Sequence, residues 1–149
     1  MFENTQDTLK IVGTPTVTLY DKDGNIKVQF TKPNTVMTVG KNLIADRLIG
    51  TGSAIMSHMA IGTSNSNLSA ANTTLASENA RVALASSTRS NNTVTYTATF
   101  GAGTGTGAIV EAGVLNAASA GTLLCRTTFP VINKEADDIL TINWNVTIN

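Results

Sequence analysis

The stretch from residue 140 to residue 148, LTINWNVTI, decides the fold class of this 149-residue chain. Every even position carries an apolar side chain, and every odd position carries threonine or asparagine. Successive side chains of a β-strand point to opposite faces, so this alternation predicts a long strand whose buried face carries Trp144.

The same period of two recurs elsewhere in the chain. Residues 93–100 alternate threonine with apolar side chains, and residues 16–20 and 26–30 alternate around the turn DKDGN at 21–25. Asp-Gly between two alternating runs is a strong hairpin signal. Pro15 cannot donate a backbone hydrogen bond, so we expect the first strand to begin there or to carry a bulge.

Further strands and loops follow from shorter patterns. We expect strands at residues 54–62, from Arg81 to about residue 85, at 109–115, and at 123–129 with Pro130 ending the last of these. A short helix over residues 78–85 is the alternative for the second of them. Clusters of small and polar residues predict a long surface loop at 63–74, a flexible connection at 101–107 and a charged turn at 134–138.

One helix is predicted, at about residues 38–49. Gly50 supplies the left-handed residue that commonly ends a helix. Gly40 lowers the helix's own stability, so packing on a sheet must hold it. The apolar stripe at helical spacing consists of Val39, Leu43, Ile44 and Leu48.

About seven to nine strands with frequent turn signals and one short helix are typical of a sandwich or barrel. The sequence therefore predicts a mainly β fold, a single-domain antiparallel β-sandwich over residues 9–149. Residues 1–8 are predicted to be a flexible N-terminal arm.

The composition excludes several function classes. Lys plus Arg and Asp plus Glu are 10 each, so the net charge is zero, and charged residues make up only 13%. No basic excess is present to hold a nucleic-acid backbone, and no apolar run approaches the length of a membrane span. We therefore expect neither nucleic acid nor membrane as a partner.

The candidate chemical sites each have a plainer interpretation. Cys125 is single, so it can form neither an intramolecular disulfide nor a cysteine-based zinc site, and it is expected to be buried. His58, the only histidine, is expected to be a hydrogen-bonded structural group. A calcium loop starting at Asp21 would need a glutamate at position twelve, where Lys32 stands. The segment Gly103–Ala108 matches a loose dinucleotide pattern, but no helix follows it. We predict no catalytic residue, no cofactor and no metal site.

Five charges are informative because charges are scarce. Glu111 and Arg126 lie among apolar residues, and Arg81 precedes one. A charge in such surroundings is normally paired, so we expect an intramolecular pair between Glu111 and either Arg126 or Arg81. Pairing across a subunit interface and a paired-carboxylate active site are the alternatives. Glu78 and Lys134 complete the set.

The chain contains 24 Thr, 15 Asn and 10 Ser, and those at 93–99 and 141–147 form the polar sides of two predicted strands. Such faces either are simply solvated or form a contact surface, because an uncharged face costs less to desolvate. With so few charges the chain is expected to self-associate. A dimer and a trimer both remain open.

An ordered set of segments carries a family resemblance over residues 9–149. It resembles small virion structural proteins of tailed bacteriophages, most closely capsid cement (decoration) proteins. The segments include MAIGT (59–63), VEAGVLN (110–116), GTLLCRTTF (121–129) and DILTINW (138–144).

The resemblance implies a non-enzymatic β-sandwich that binds the outer capsid surface and stabilises contacts between capsomers. Its implied partner is the major capsid protein, and its implied location is the capsid surface of the virion, assembled in the host cytoplasm. The arm at residues 1–8 would suit an extension that reaches a neighbour. The alternatives are a tail, baseplate or fibre component, including a receptor-binding tip, and a non-viral binding or adhesion module.

Overall fold

The computed structural model describes residues 7–52 and 54–149. It contains two five-stranded antiparallel sheets packed as a sandwich, as the sequence predicts. The elements in chain order are β1 (Ile11–Tyr20), β2 (Ile26–Thr31), β3 (Thr35–Val36), α1 (Thr38–Leu48), β4 (His58–Gly62), β5 (Glu78–Ala83), β6 (Ser86–Ser90), β7 (Thr93–Phe100), β8 (Gly107–Leu115), β9 (Leu123–Lys134) and β10 (Ile139–Ile148).

The first sheet has the strand order β2-β1-β10-β7-β6, and the second has β3-β9-β8-β4-β5. Strand β10, whose pattern decides the fold, lies in the middle of the first sheet between β1 and β7. Its even-numbered side chains face the second sheet, and Trp144 is fully buried there. The core between the sheets also holds Leu19, Phe100 and Ile132.

The helix α1 begins at Thr38 and ends at Leu48, with Gly50 at φ +69 beyond it, as predicted. Its backbone approaches β9 so closely that a Cβ on Gly40 would lie 2.5 Å from the Leu124 carbonyl oxygen. Gly40 is therefore required for packing, although it weakens the helix itself. The predicted apolar stripe is wrong at its end, because Leu48 is 84% exposed.

Two predictions that involve proline are corrected. Pro15 lies inside β1, opposite Trp144 of β10, rather than at its start. Strand β2 ends at Thr31, and the missing N–H of Pro15 faces Lys32, whose own N–H donates to the Pro15 carbonyl oxygen at 3.1 Å. Pro130 does not end β9, which continues to Lys134, because β3 pairs with β9 only at Cys125 and Arg126 and leaves this edge open.

Other boundaries also differ from prediction. Strand β4 starts at His58 rather than at residue 54, and β5 starts at Glu78 rather than at Arg81. The two-residue β3 and the wholly polar β6 (SSTRS) carry no alternation that would reveal them.

The alternating residues of β2 are also less buried than their pattern predicts, because β2 is the edge strand of its sheet. Ile26 is 56% and Val28 39% exposed.

The loops follow the prediction in outline. The segment 63–77 connects β4 to β5 without regular structure, and the segment 101–106 connects β7 to β8. The predicted arm at residues 1–8 lies outside the described residues except for Asp7 and Thr8, which are exposed and belong to no strand or helix.

Candidate functional site

The outer face of the first sheet is an array of side chains that are uncharged with one exception, which we call the threonine face. Five strands contribute to it, and its one charged member, Lys27 of β2, is paired with Asp138 at 2.9 Å. Its members are Val12, Thr14, Thr16, Thr18, Tyr20, Lys27, Gln29, Thr31, Ser86, Thr88, Ser90, Thr93, Thr95, Thr97, Thr99, Ile139, Thr141, Asn143, Asn145 and Thr147.

Side chains of the threonine face bond to one another across the strands. Between β7 and β10 four consecutive side-chain hydrogen bonds, which we call rungs, join the strands. They are Thr93–Thr147 (2.9 Å), Thr95–Asn145 (2.8 Å), Thr97–Asn143 (2.9 Å) and Thr99–Thr141 (3.3 Å). Between β1 and β2 two more are formed, at Thr16–Thr31 and Thr18–Gln29, both 2.9 Å. Each rung satisfies a hydroxyl or amide group within the face.

This bonding lowers the cost of covering the face. Burying a polar group without a partner costs free energy, whereas a group that keeps its hydrogen bond avoids much of that penalty. Because the rungs lie within the sheet, they persist when another surface packs flat against it. The arrangement therefore suits a contact surface, and cross-strand pairs of this kind also occur on solvated sheet faces.

The outer face of the second sheet is covered by the chain itself. The segment 63–77 passes over it, and Leu75 packs with Ala60, Leu115 and Leu123 in a second apolar cluster that also includes Met37. The sandwich therefore has one face closed by its own loop and one open face, the threonine face.

A buried ion pair fixes that covering loop. The Nε and Nη2 atoms of Arg126 each lie 2.8 Å from Oε2 of Glu111, and both side chains are at most 1% exposed. The Glu111 carboxylate also accepts the backbone N–H groups of Ala76 (2.9 Å) and Ser77 (2.7 Å). A Cβ on Gly62 would lie 2.3 Å from Oε1 of Glu111, so this close passage requires glycine.

Arg126 holds the other half of the loop. Its Nη1 donates to Oδ1 of Asn72 at 2.9 Å, and its Nη2 donates to the carbonyl oxygens of Ser64 and Ser66 at 3.4 and 3.2 Å. The expected intramolecular pairing of Glu111 with Arg126 is thus confirmed, and the subunit-bridging alternative is wrong for this pair. These contacts explain both buried charges, because Glu111 and Arg126 hold the segment 63–77 in place.

The other predicted charges are anchors as well. Arg81 pairs with Glu78 rather than with Glu111, at 2.6 Å, and donates to the carbonyl oxygens of Ala117 and Ala120. Lys134, expected to begin a charged turn, is instead the last residue of β9; it is 1% exposed and donates to the carbonyl oxygens of Gly101 and Asp138 at 2.9 and 2.7 Å. Burial lowers the pKa of Lys134.

Cys125 and His58 have the structural environments that the sequence predicts. Cys125 is completely buried between the sheets, and this burial raises the pKa of its thiol far above the ordinary value. His58 Nδ1 lies 2.8 Å from the hydroxyl of Ser57.

Both candidate binding motifs lie in turns between strands. The Asp21 carboxylate accepts the backbone N–H groups of Asp23 and Asn25, both at 2.9 Å, so it closes the β1–β2 hairpin. The segment Gly103–Ala108 leads into β8 rather than into a helix, as expected for an interstrand loop.

In residues 7–52 and 54–149, no group of three or more His, Cys, Asp or Glu side chains is arranged to hold a metal ion. No helix in the same residues has the length and hydropathy needed to cross a membrane.

A second surface feature lies at one open end of the sandwich, beside α1. An apolar cavity of about 220 Å³ opens there between the sheets, and its walls include Leu43, Ile55, Tyr96 and Val146. Burial raises the pKa of Tyr96 to about 12, so its hydroxyl is neutral at physiological pH. Leu48, adjacent along the helix, projects into solvent.

The sequence pattern does not reveal this apolar end. Leu48 has the helical spacing of a core residue, and Ile55 lies in a run that predicts a buried strand, yet they are 84% and 66% exposed. No local pattern distinguishes a core stripe from an apolar patch that the fold leaves open. The threonine face, in contrast, is visible in the sequence as its alternating polar positions.

Comparison with known proteins gives no relative. No protein-family model matches the chain, and neither the curated proteins nor the solved structures contain a match.

Proposed function

We propose that this chain is a non-enzymatic structural protein of a bacteriophage virion, a cement protein that binds the outer capsid surface and stabilises contacts between capsomers. The observation that carries the proposal is the threonine face, an open and almost uncharged sheet face in which twelve side chains are paired with one another across the strands. The family resemblance of residues 9–149 supplies the kind of partner, the major capsid protein.

The dimensions of the face fit a modest protein contact. The five strands are about 4.8 Å apart and five to ten residues long, and at about 3.3 Å per residue they give roughly 600 Å². A standard interface covers about 800 Å² on each partner. One such contact is weak, but a shell offers many identical sites, and linked contacts gain avidity by factors of about 10² to 10⁴.

The charge distribution supports the same role. A face whose single charge, Lys27, is already paired with Asp138 meets little like-charge repulsion from its target, and its binding depends little on salt. Meanwhile the scarce charges at Glu111, Arg126 and Lys134 are used to fix loops. A rigid body with one open neutral face loses little conformational entropy when it docks.

The deciding experiment measures the copy number of the chain in purified phage particles by quantitative mass spectrometry against the major capsid protein. A copy number in a simple ratio to that protein supports the cement role. A number far below it moves the protein to the tail, baseplate or fibres. Absence from particles overturns the virion assignment and leaves the binding or adhesion module as the alternative.

A further inference from the structure

The apolar end of the sandwich combines a projecting residue with a cavity. Leu48 and Ile49, at the end of α1, are 84% and 75% exposed. The cavity of about 220 Å³ begins one helical turn away, where Leu43 and Ile44 line it together with Ile55. An engineered protein cavity of about 150 Å³ accepts benzene, so this one has room for a leucine side chain.

The exposed apolar residues of this end are grouped. Ile11 and Ile44 line both the cavity and a neighbouring groove that also contains Leu9 and Leu48. Contiguous apolar surface on a soluble protein marks an interaction site more often than isolated exposed residues do.

The shape of this end identifies its occupant. A two-fold interface brings the same surface of both subunits together, so it must carry each protrusion and the recess that receives it. Here the protrusion and the recess are neighbours on one helix.

Two charges beside Leu48 are able to pair between copies, while Lys10 and Lys41 also line the groove. Asp46 and Arg47 are adjacent in the last turn of α1, and neither forms an ion pair within residues 7–52 and 54–149. Consecutive residues on a helix do not face each other, so they do not neutralise one another directly. Across a two-fold axis, Arg47 of one copy can face Asp46 of the other, and symmetry repeats the contact.

We propose that a second copy of this chain binds at the apolar end in a two-fold dimer, with Leu48 of each copy inserted into the other's cavity. This goes beyond the proposed virion role, because it concerns the purified protein alone and assigns a different surface from the threonine face. The two proposals can therefore fail separately.

The test measures the molar mass of the purified protein by size-exclusion chromatography with light scattering over a wide range of concentrations. We expect wild type to be a dimer, and Leu48→Asp and Ile55→Asp to be monomers. Val131→Asp is the matched control, because Val131 is also exposed (56%) and lines neither the cavity nor the groove. That variant should remain a dimer, and circular dichroism checks that every variant is folded.

A charge exchange tests the orientation. Arg47→Glu and Asp46→Arg should each weaken the dimer, and the double variant should restore it, because only a contact between copies is repaired by reversing both charges. A monomeric wild type, a trimer, or a dimer that survives Leu48→Asp overturns the proposal. A monomeric wild type whose binding to particles is lost in Leu48→Asp would instead assign this end to the shell protein.

Discussion

At the scale of single residues, the Glu111–Arg126 pair carries the largest expected cost of substitution. Arg126→Met leaves the Glu111 carboxylate buried without its cation and releases the carbonyl and amide groups of the segment 63–77. Breaking a buried ion pair by removing one partner typically costs about 3–5 kcal/mol. We expect a loss of that size in the free energy of unfolding, measured by urea denaturation.

The half-exposed pair Glu78–Arg81 gives the control for this prediction. The Glu78 side chain is 35% exposed, so solvent screens its interaction with Arg81. Glu78→Gln should therefore cost less than about 1 kcal/mol. Equal losses in the free energy of unfolding for Glu78→Gln and Arg126→Met would show that burial does not raise the cost of breaking the Glu111–Arg126 pair.

Asp138 gives a prediction about pH. Its carboxylate accepts hydrogen bonds from Nζ of Lys27 and from the backbone N–H of Glu135, both at 2.9 Å. The hydrogen bond from Lys27, followed by that from Glu135, lowers the pKa of Asp138 below its ordinary 3.8. The unfolded chain therefore takes up this proton first, so the stabilisation is complete above about pH 3.8 and is lost as the pH falls through the lower folded value.

The measurement compares the unfolding free energies of wild type and Asp138→Asn as a function of pH. Wild type should be the more stable at neutral pH, and the difference should shrink on acidification below about pH 3.8. Asp137→Asn, which removes a carboxylate at the exposed neighbouring position, is the matched control. A difference between wild type and Asp138→Asn that is constant down to the acid limit would contradict the ion-pair explanation.

At the scale of elements, intrinsic helix propensity and packing favour different residues at position 40 of α1. Alanine is more favourable than glycine in a helix by about 1 kcal/mol. At position 40, however, the added Cβ would lie 2.5 Å from the carbonyl oxygen of Leu124. Overpacking of this kind typically costs about 1–3 kcal/mol, so we expect Gly40→Ala to lower the melting temperature.

Ala45→Gly at an exposed position of the same helix provides the comparison for Gly40→Ala. It tests propensity without contact and should destabilise by roughly 1 kcal/mol. A stabilising Gly40→Ala would mean that α1 can move away from β9 without loss, and that the close approach is not needed.

The elements also show which parts of the fold a sequence can specify. Strands β7 and β10 are predictable because one face of each packs on the core while the other meets solvent, which imposes alternation. Strand β6 pairs at an edge with no core contact, so its SSTRS sequence carries no such imprint. Strand β9 continues past Pro130 because β3 does not pair with it there and leaves this edge open. Where β3 pairs is set by the fold and not by the sequence around Pro130.

At the scale of the whole molecule, the candidate surfaces differ in how far the sequence reveals them. Except for its residues on β6, the threonine face follows from the predicted strands, since most of its residues are their polar positions. The apolar end does not, because its exposure results from where α1 and the segment before β4 lie relative to the sheets. Local periodicity contains no information on that arrangement, so Leu48 resembles a core residue until the fold is known.

The two surfaces give a final prediction, that dimerisation and particle binding can be separated by substitution. Asn143 lies on β10 in the threonine face and is exposed, and its side chain accepts one hydrogen bond, from Thr97. Asn143→Lys places a charge in the middle of that face, which an uncharged partner cannot pair. We expect it to reduce occupancy on phage particles while leaving the dimer intact in light scattering.

Leu48→Asp should have the opposite pattern of effects, on the dimer rather than on the direct contact with the particle. It abolishes the dimer first, and it lowers occupancy only because each monomer loses the avidity of two linked contacts. Raising the concentration of free protein should therefore restore the occupancy of Leu48→Asp much more readily than that of Asn143→Lys. Asn65→Lys, on the exposed loop over the second sheet, controls for charge alone and should change neither property. If Asn143→Lys instead dissociated the dimer, the threonine face would be the contact between copies. The apolar end would then be available to bind the capsid shell.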